Sequence, residues 1–334
     1  MANGTKALRI IQLGRMADSD SDTAVPTTTL WRGTGSLKDD RNTYFVPEDV
    51  GILSGTDRTN TSSYGGSIVL DPVEATPEQF PHLLEMGIRT VSGTSDSLGD
   101  GYIYQYTIPT TSSAAIKPYT VEGGDNAGAE VMPYTFCSQF SLAGNEKEAW
   151  KMGGTLIGKS VTPQAFTGGV AIPAVTNLNF GMARLYIDND SDTFGTTIVS
   201  QTLLQAQLDY KTGVVAKFTA DGALTFSFIQ YTMPEATWKL TFEHNTSSIA
   251  EKALWKSETA RILRIAIQGK NFVNAGDYSY RTIISDMCGK WLTFDRLGER
   301  NGNDVVEATF KMGYNTTQAS AGKFIVVNDL PTIP

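Results

Sequence analysis

The sequence predicts a mainly β fold of tandem sandwich- or barrel-like units, each with a short flanking α-helix and long inter-strand loops. Three observations carry that expectation. At 334 residues the chain exceeds the roughly 100–200 residues of one domain, so two folding units are expected. Its 32 glycines and frequent threonines, with 40% hydrophobic and 19% charged residues, fit a globular chain rich in strands and turns. The third observation is a pattern written twice: SIVLDPVEATPEQFPHLLEMG at 67–87 and WKLTFEHNTSSIAEKALWKSE at 238–258 each read as a strand running into a capped helix.

In the first of these, Ile68 and Leu70 alternate with Ser67 and Val69, and Thr76, Pro77 and Gln79 have N-cap, N1 and N3 spacing for a helix over 76–87. Phe80, Leu83 and Leu84 then share a helical face. In the second, Trp238, Leu240 and Phe242 alternate with Thr237, Lys239 and Thr241, as a half-buried strand requires. Ser248 and Glu251 have capping-box spacing for a helix over 248–257, with Ile249, Ala253 and Leu254 expected on its docking side. Downstream, KPYTVEGGDN (117–126) faces ILRIAIQGKN (262–271), and the cysteine-bearing TFCSQFSLAG (135–144) faces SDMCGKWLTF (285–294). Each half closes on a shared tripeptide, in AWKMGG (149–154) and TFKMGY (309–314). GYIYQYTIP (101–109) is an extra period-two strand of the first half. The expected organisation is an N-terminal arm with the first strands over 1–40, a first unit over 41–175 and a second over 176–334. Polar, glycine-rich runs near 14–28, 54–65, 110–131, 188–199 and 314–322 are longer than compact domains usually hold, which points to ordering by a partner.

Charge and motifs narrow the function. A net charge of −8 argues against a protein that grips nucleic acid by neutralising phosphates. Cys137 and Cys288 are too few for a disulfide framework and are read as buried thiols. MANGTKALRI lacks an apolar core of signal-peptide length, and no apolar run of about 18 residues occurs, so neither secretion nor membrane spanning is expected. GGTLIGKS (153–160) fits a phosphate-loop pattern, but a proline- and glycine-broken segment follows where a helix is needed. DSDSD (18–22) and DNDSD (188–192) resemble calcium loops; in the second, Thr193 and Val199 stand where glycine and a bidentate glutamate belong. His82 and His244 have no zinc-ligand spacing, and there is no G-x-S-x-G serine elbow. No enzymatic activity, cofactor, metal or catalytic residue is therefore expected. The residues singled out are helix-packing and interface candidates: Thr76, Phe80, Leu83, Leu84, Trp238, Leu240, Phe242, Ile249 and Leu254.

Several stretches together resemble the tail tube (major tail) proteins of long-tailed bacteriophages. They are IIQLGRMADSDSDTAVPTTTLWRGTG, GGSIVLDPVEATPEQFPHLLEMG, YIYQYTIP, PYTVEGGDN and FSLAGNEKEAWKMGGTLIGKSV, clearest over residues 5–175. The resemblance implies β-sandwich or barrel units that form rings of six, stacked into a hollow tail through which double-stranded DNA passes during ejection without tight binding. Two units per chain imply homotrimeric pseudo-sixfold rings, with a homohexamer as the alternative. It also implies other tail proteins as partners (tape measure, terminator, tip), no membrane, a place in the virion and assembly in the host cytoplasm. On this reading an arm over residues 1–28 binds the next ring. A tail terminator, a decoration protein or a glycan-binding β-sandwich are the alternatives.

Overall fold

The computed structural model describes residues 7–17, 23–55 and 57–334. Strands hold 49% of the residues and helical segments 7%, most of it in two α-helices among the described residues, so the fold is mainly β with antiparallel sheets. The first half carries β1 (Ile10–Arg15), β2 (Thr29–Leu30), β3 (Gly35–Asp39), β4 (Asn42–Phe45), β5 (Thr59–Ser63), β6 (Gly66–Glu74) and α1 (Phe80–Gly87). It continues with β7 (Thr94–Ser95), β8 (Tyr102–Thr107), β9 (Tyr119–Gly124), β10 (Ala129–Asn145), β11 (Lys151–Gly158) and β12 (Thr162–Pro163). The second half carries β13 (Ala183–Asn189), β14 (Leu203–Lys211), β15 (Val214–Lys217), β16 (Phe228–Tyr231), β17 (Glu235–Glu243) and α2 (Thr246–Lys256). After these come β18 (Arg261–Asn271), β19 (Tyr280–Arg300), β20 (Asn303–Met312) and β21 (Gly322–Asn328).

Apart from the hairpins β4–β5 and β15–β16, the strands form one hydrogen-bonded network. Its spine is a ladder in the order β3, β6, β11, β10, β14, β17, β20, β19, joined through the C-terminal halves of the long strands β10 and β19. The N-terminal halves of those two strands leave the ladder. That of β10 pairs with β9 and β12, and β9 with β1. That of β19 pairs with β18 and β21, and β18 with β13. Six pairings thus recur in the same order: β1–β9 as β13–β18, β3–β6 as β14–β17, β6–β11 as β17–β20, β9–β10 as β18–β19, β10–β11 as β19–β20, and β10–β12 as β19–β21. A hairpin interrupts each half at the same point, between β3 and β6 and between β14 and β17.

A bulge fixes the correspondence residue by residue. The register slips between Cys137 and Gln139 opposite Leu156 and Thr155, and between Trp291 and Thr293 opposite Phe310 and Thr309. A bulge adds one residue to one strand and bends it, so Cys137 matches Trp291 and Phe140 matches Phe294. Two sequence expectations need correction on this basis. Cys288 precedes the true counterpart of Cys137 by three residues. The shared tripeptides lie at opposite ends of their strands, Lys151–Met152–Gly153 opening β11 and Lys311–Met312–Gly313 closing and leaving β20.

The apolar face of the ladder packs into a single core that crosses both halves, where Trp150 meets Trp238 edge to face at 6.4 Å between ring centroids. The strand at 102–107, β8, pairs with β21 of the second half. α1 lies inside this core, Phe80 touching Phe140 of β10 on one side and Phe324 of β21 on the other. The sequence predicts a flanking helix, whereas α1 is enclosed between two strands. Nor does it start at Thr76: residues 77–79 form a turn, Gln79 is the N-cap without a side-chain cap bond, and the Thr76 hydroxyl has no partner. α2 starts earlier than expected, at Asn245, with Ser248 in the N3 position of the capping box. Within the stretch 1–40, expected to hold an arm and the first strands, β1 buries Ile11 and Leu13 and pairs along its length with β9. Of the long polar runs, 54–65 holds β5 and 110–131 holds β9.

Candidate assembly interface

The ladder has two ends and one internal joint. At one end, β3 pairs only with β6; at the other, Leu292–Arg300 of β19 pairs only with β20. Exposed edge strands present rows of unpaired N–H and C=O groups that accept another chain. The internal joint is where the first half meets the second: β10 and β14 run antiparallel from Gln139↔Lys211 to Asn145↔Gln205. Phe140 stacks on Tyr210 across it, at 4.7 Å and 16°. The Thr212 amide donates to Ser138 O at 3.0 Å, and the Thr212 hydroxyl donates to Cys137 O at 2.7 Å.

Each helix is tied to its half by a buried glutamate. Glu85 of α1 accepts from Tyr119 Oη at 2.9 Å and pairs with Arg15 at 3.0 Å, which joins the ends of β9 and β1. Glu251 of α2 accepts from Arg261 Nη2 at 2.7 Å and Trp291 Nε1 at 2.9 Å. Arg261 also donates to Asn189, and so joins the ends of β18 and β13. Tyr119 and Arg15 face one another across β9–β1 as Arg261 and Asn189 do across β18–β13. The two clasps therefore occupy the same place with the cation moved to the other strand. Sequence reading missed them, because the residues lie far apart in the chain and Glu251 was assigned to a cap. In the first clasp His82 Nδ1 lies 3.1 Å from Tyr119 Oη, and because the single Tyr119 hydroxyl hydrogen goes to Glu85, the Nδ1–H tautomer of His82 is the donor. Burial and the nearby Arg15 push its pKa down to about 3, so the ring is neutral, while burial raises the Glu85 carboxyl against the pull of Arg15.

The ladder's other face is polar. It shows Ser141 and Gln139 on β10, Gln207 and Asp209 on β14, and Thr237 and Lys239 on β17, opposite to the buried Trp238, Leu240 and Phe242. Its charges are mixed: Lys38, Lys151, Lys211, Lys239 and Lys311 stand among Asp71, Asp209, Glu235, Asp295 and Glu307. The acidity of the whole chain is not concentrated there.

Of the residues singled out in sequence, Phe80, Leu83, Leu84, Trp238, Leu240 and Phe242 are fully buried in the one core. Thr76 is buried beside α1. Leu254 is half-buried, and Ile249 is 54% exposed, so it does not dock on its own sheet. Residues 153–158 lie inside β11, an antiparallel strand, and Lys159 and Ser160 sit in the link to β12. In 188–192, the Asp188 carboxylate accepts the amides of Gly195, Thr196 and Thr197, an ordinary loop clamp. DSDSD lies outside the described residues. Both cysteines are buried thiols, and burial pushes Cys288 up to about 12. Among the described residues no helix is long and apolar enough to cross a membrane. Compared with known proteins, the chain matches no family model and no curated protein.

Proposed function

We propose that this protein is a self-assembling structural subunit whose copies join into rings, the rings stacking into the hollow tail tube of a long-tailed phage. The observation that carries the reading is the open ladder: two unpaired ends on a sheet whose own midpoint displays the joint that would close them. Edge strands left this long are a hazard unless another chain covers them, and repetition of one joint about an axis gives a closed ring.

The strand count favours three chains. Eight ladder strands per copy give about 24 strands in a trimer, spaced ~4.8 Å apart and tilted by ~35–45°. That corresponds to a backbone diameter of about 45–50 Å, wide enough to pass a duplex once side chains fill the rim. Six chains would roughly double it and leave a loose channel. With its core-facing side buried, the ladder turns its polar face to the hollow. Lysines and carboxylates in similar numbers neither hold DNA by releasing its counterions nor repel it strongly, and both effects fade within about 10 Å at ordinary ionic strength.

Negative-stain microscopy and native mass spectrometry of the concentrated protein test the reading. Rings of three copies and open-ended tubes are expected. Persistent monomers remove the proposal, and rings that never stack point to a terminator instead.

A further inference from the structure

We infer that the free half of β19 in one copy pairs antiparallel with β3 of a second copy, with Asp295 opposite Lys38, and that this brings the second copy's first half against α2. The inference rests on the self-assembly reading and specifies its contact.

The register comes from the internal joint. There Ser141 of β10 faces Asp209 of β14, one residue beyond the Phe140–Tyr210 stack. The matching bulges make Asp295 the counterpart of Ser141. On the other strand, Leu37 faces Ile68 and Leu208 faces Trp238, while Ile68 faces Leu156 and Trp238 faces Phe310. Leu156 and Phe310 are themselves equivalent through the bulge, so Leu37 matches Leu208 and Lys38 matches Asp209. Placing the second copy's β3 on β19 as β14 lies on β10 therefore sets Lys38 against Asp295.

The chemistry of the two edges agrees with this register. Asp295 faces Glu307 of β20, two carboxylates directly opposite one another on neighbouring strands. Lys38 is exposed and, among the described residues, pairs with Asp40 just past the end of its own strand. Opposite charges facing one another across an antiparallel pair are favourable, and like charges in that position are not.

Two features of the free edge show what is missing from it. Ser138 O, in the bulge of β10, takes the amide of Thr212 from the following half. Its counterpart, Leu292 O, takes the indole Nε1 of Trp255 at 3.3 Å. A side chain from α2 fills the place that the next strand's backbone fills at the internal joint. Leu292 itself is 58% exposed at that bulge, next to the helix that bares Ile249.

Charge reversal and cross-linking test the register. Lys38→Asp or Asp295→Lys alone should raise the concentration at which rings form by about tenfold or more, a change of roughly 1.4 kcal/mol per contact. The two changes together should restore it to within about threefold, as an exchanged pair regains its attraction. Lys239→Asp, on the same face but between paired strands, should leave ring formation unchanged. Lys38→Cys combined with Asp295→Cys should oxidise to covalent multimers that end at three copies. Because both positions are exposed, the melting temperatures of these variants should match the parent, and a lost melt would be read from the cross-link pair instead. Rings that persist without rescue or cross-linking overturn this register and leave self-assembly standing. A parent protein that forms no rings overturns both.

Discussion

α1 and α2 follow equivalent strands, β6 and β17, and each is pinned by a buried glutamate to the ends of two further strands. Yet all eight residues of α1 are buried, whereas α2 buries only Ser248 and Glu251. The difference tracks position along the ladder. α1 lies under the internal joint, where Gly87 approaches Thr212 so closely that a Cβ would stand 2.5 Å from its methyl group. α2 lies beside the free end, where no second half follows. A helix covered on both sides can carry apolar residues on every face, with its few polar side chains paired inside, and FPHLLEMG is accordingly far more apolar than the open TSSIAEKALWK, its His82 and Glu85 both bonded within the core.

The comparison breaks most severely at the clasps. Arg15→Ala should strand Glu85, which is fully buried, and cost on the order of 3–5 kcal/mol in chemical denaturation. Arg261→Ala should cost a similar amount at the second clasp, since Arg261 and Glu251 are both largely buried. Replacing Glu251 and Arg261 together by methionine should recover most of that loss. If removal of Arg261 were nearly neutral, the clasps would not be equivalent.

Packing separates the helices next. Leu83→Ala removes a fully buried side chain and should cost about 2–5 kcal/mol. Ile249→Ala, at a site 54% exposed, should change the stability of the monomer by less than about 0.5 kcal/mol. Equal losses would show that α2 is packed as α1 is.

How much of this was legible depended on whether the signal was local. The alternation of Trp238, Leu240 and Phe242 with polar neighbours revealed a one-sided strand, because burial on one face writes a period of two. The order of the pieces in the halves was legible too. Their exact match was not: register here is set by bulges at Ser138 and Leu292, which leave no composition signal, and shared tripeptides and cysteines gave an alignment shifted along the strands. The caps failed for a different reason. Thr76 and Gln79 have the right spacing, but Pro77 and the demand to bury Phe80 place a turn there first. At α2 the true cap is Asn245, which pairs with a serine at N3 rather than the usual glutamate.

Acid sharpens the comparison through His82, which has no matching histidine at the second clasp. Its folded pKa, about 3, lies below the ordinary value of 6.5. The unfolded chain therefore takes up a proton that the folded one refuses, and the stability present above pH 6.5 is lost as pH falls toward 3, at up to about 1.4 kcal/mol per pH unit. Glu85 acts the other way, since burial raises its carboxyl and favours its protonated form in the folded state. The observable is thus a difference between proteins. His82→Asn, which keeps a donor near Tyr119, should flatten the fall of melting temperature between pH 6.5 and 4 relative to the parent. An unchanged slope would mean that His82 is protonated in place.

The smallest expected effect concerns how each helix begins. Asn245 accepts the Ser248 amide at 3.1 Å, and Ser248 Oγ accepts the Asn245 amide at 3.0 Å, two otherwise orphaned donors satisfied in a half-buried first turn. Gln79 makes no such bond and instead donates to Leu30 O. Asn245→Ala should accordingly cost about 1 kcal/mol and open the amides of the first turn of α2 to hydrogen exchange, leaving those of α1 protected. The reasoning is that α1 is held in shape by what surrounds it, so its start needs no dedicated cap, whereas α2 depends on its own termini until something covers it. If assembly covers α2, the same substitution measured within rings should lose part of its effect on exchange; if the loosening persists undiminished there, α2 faces solvent in the assembly as well.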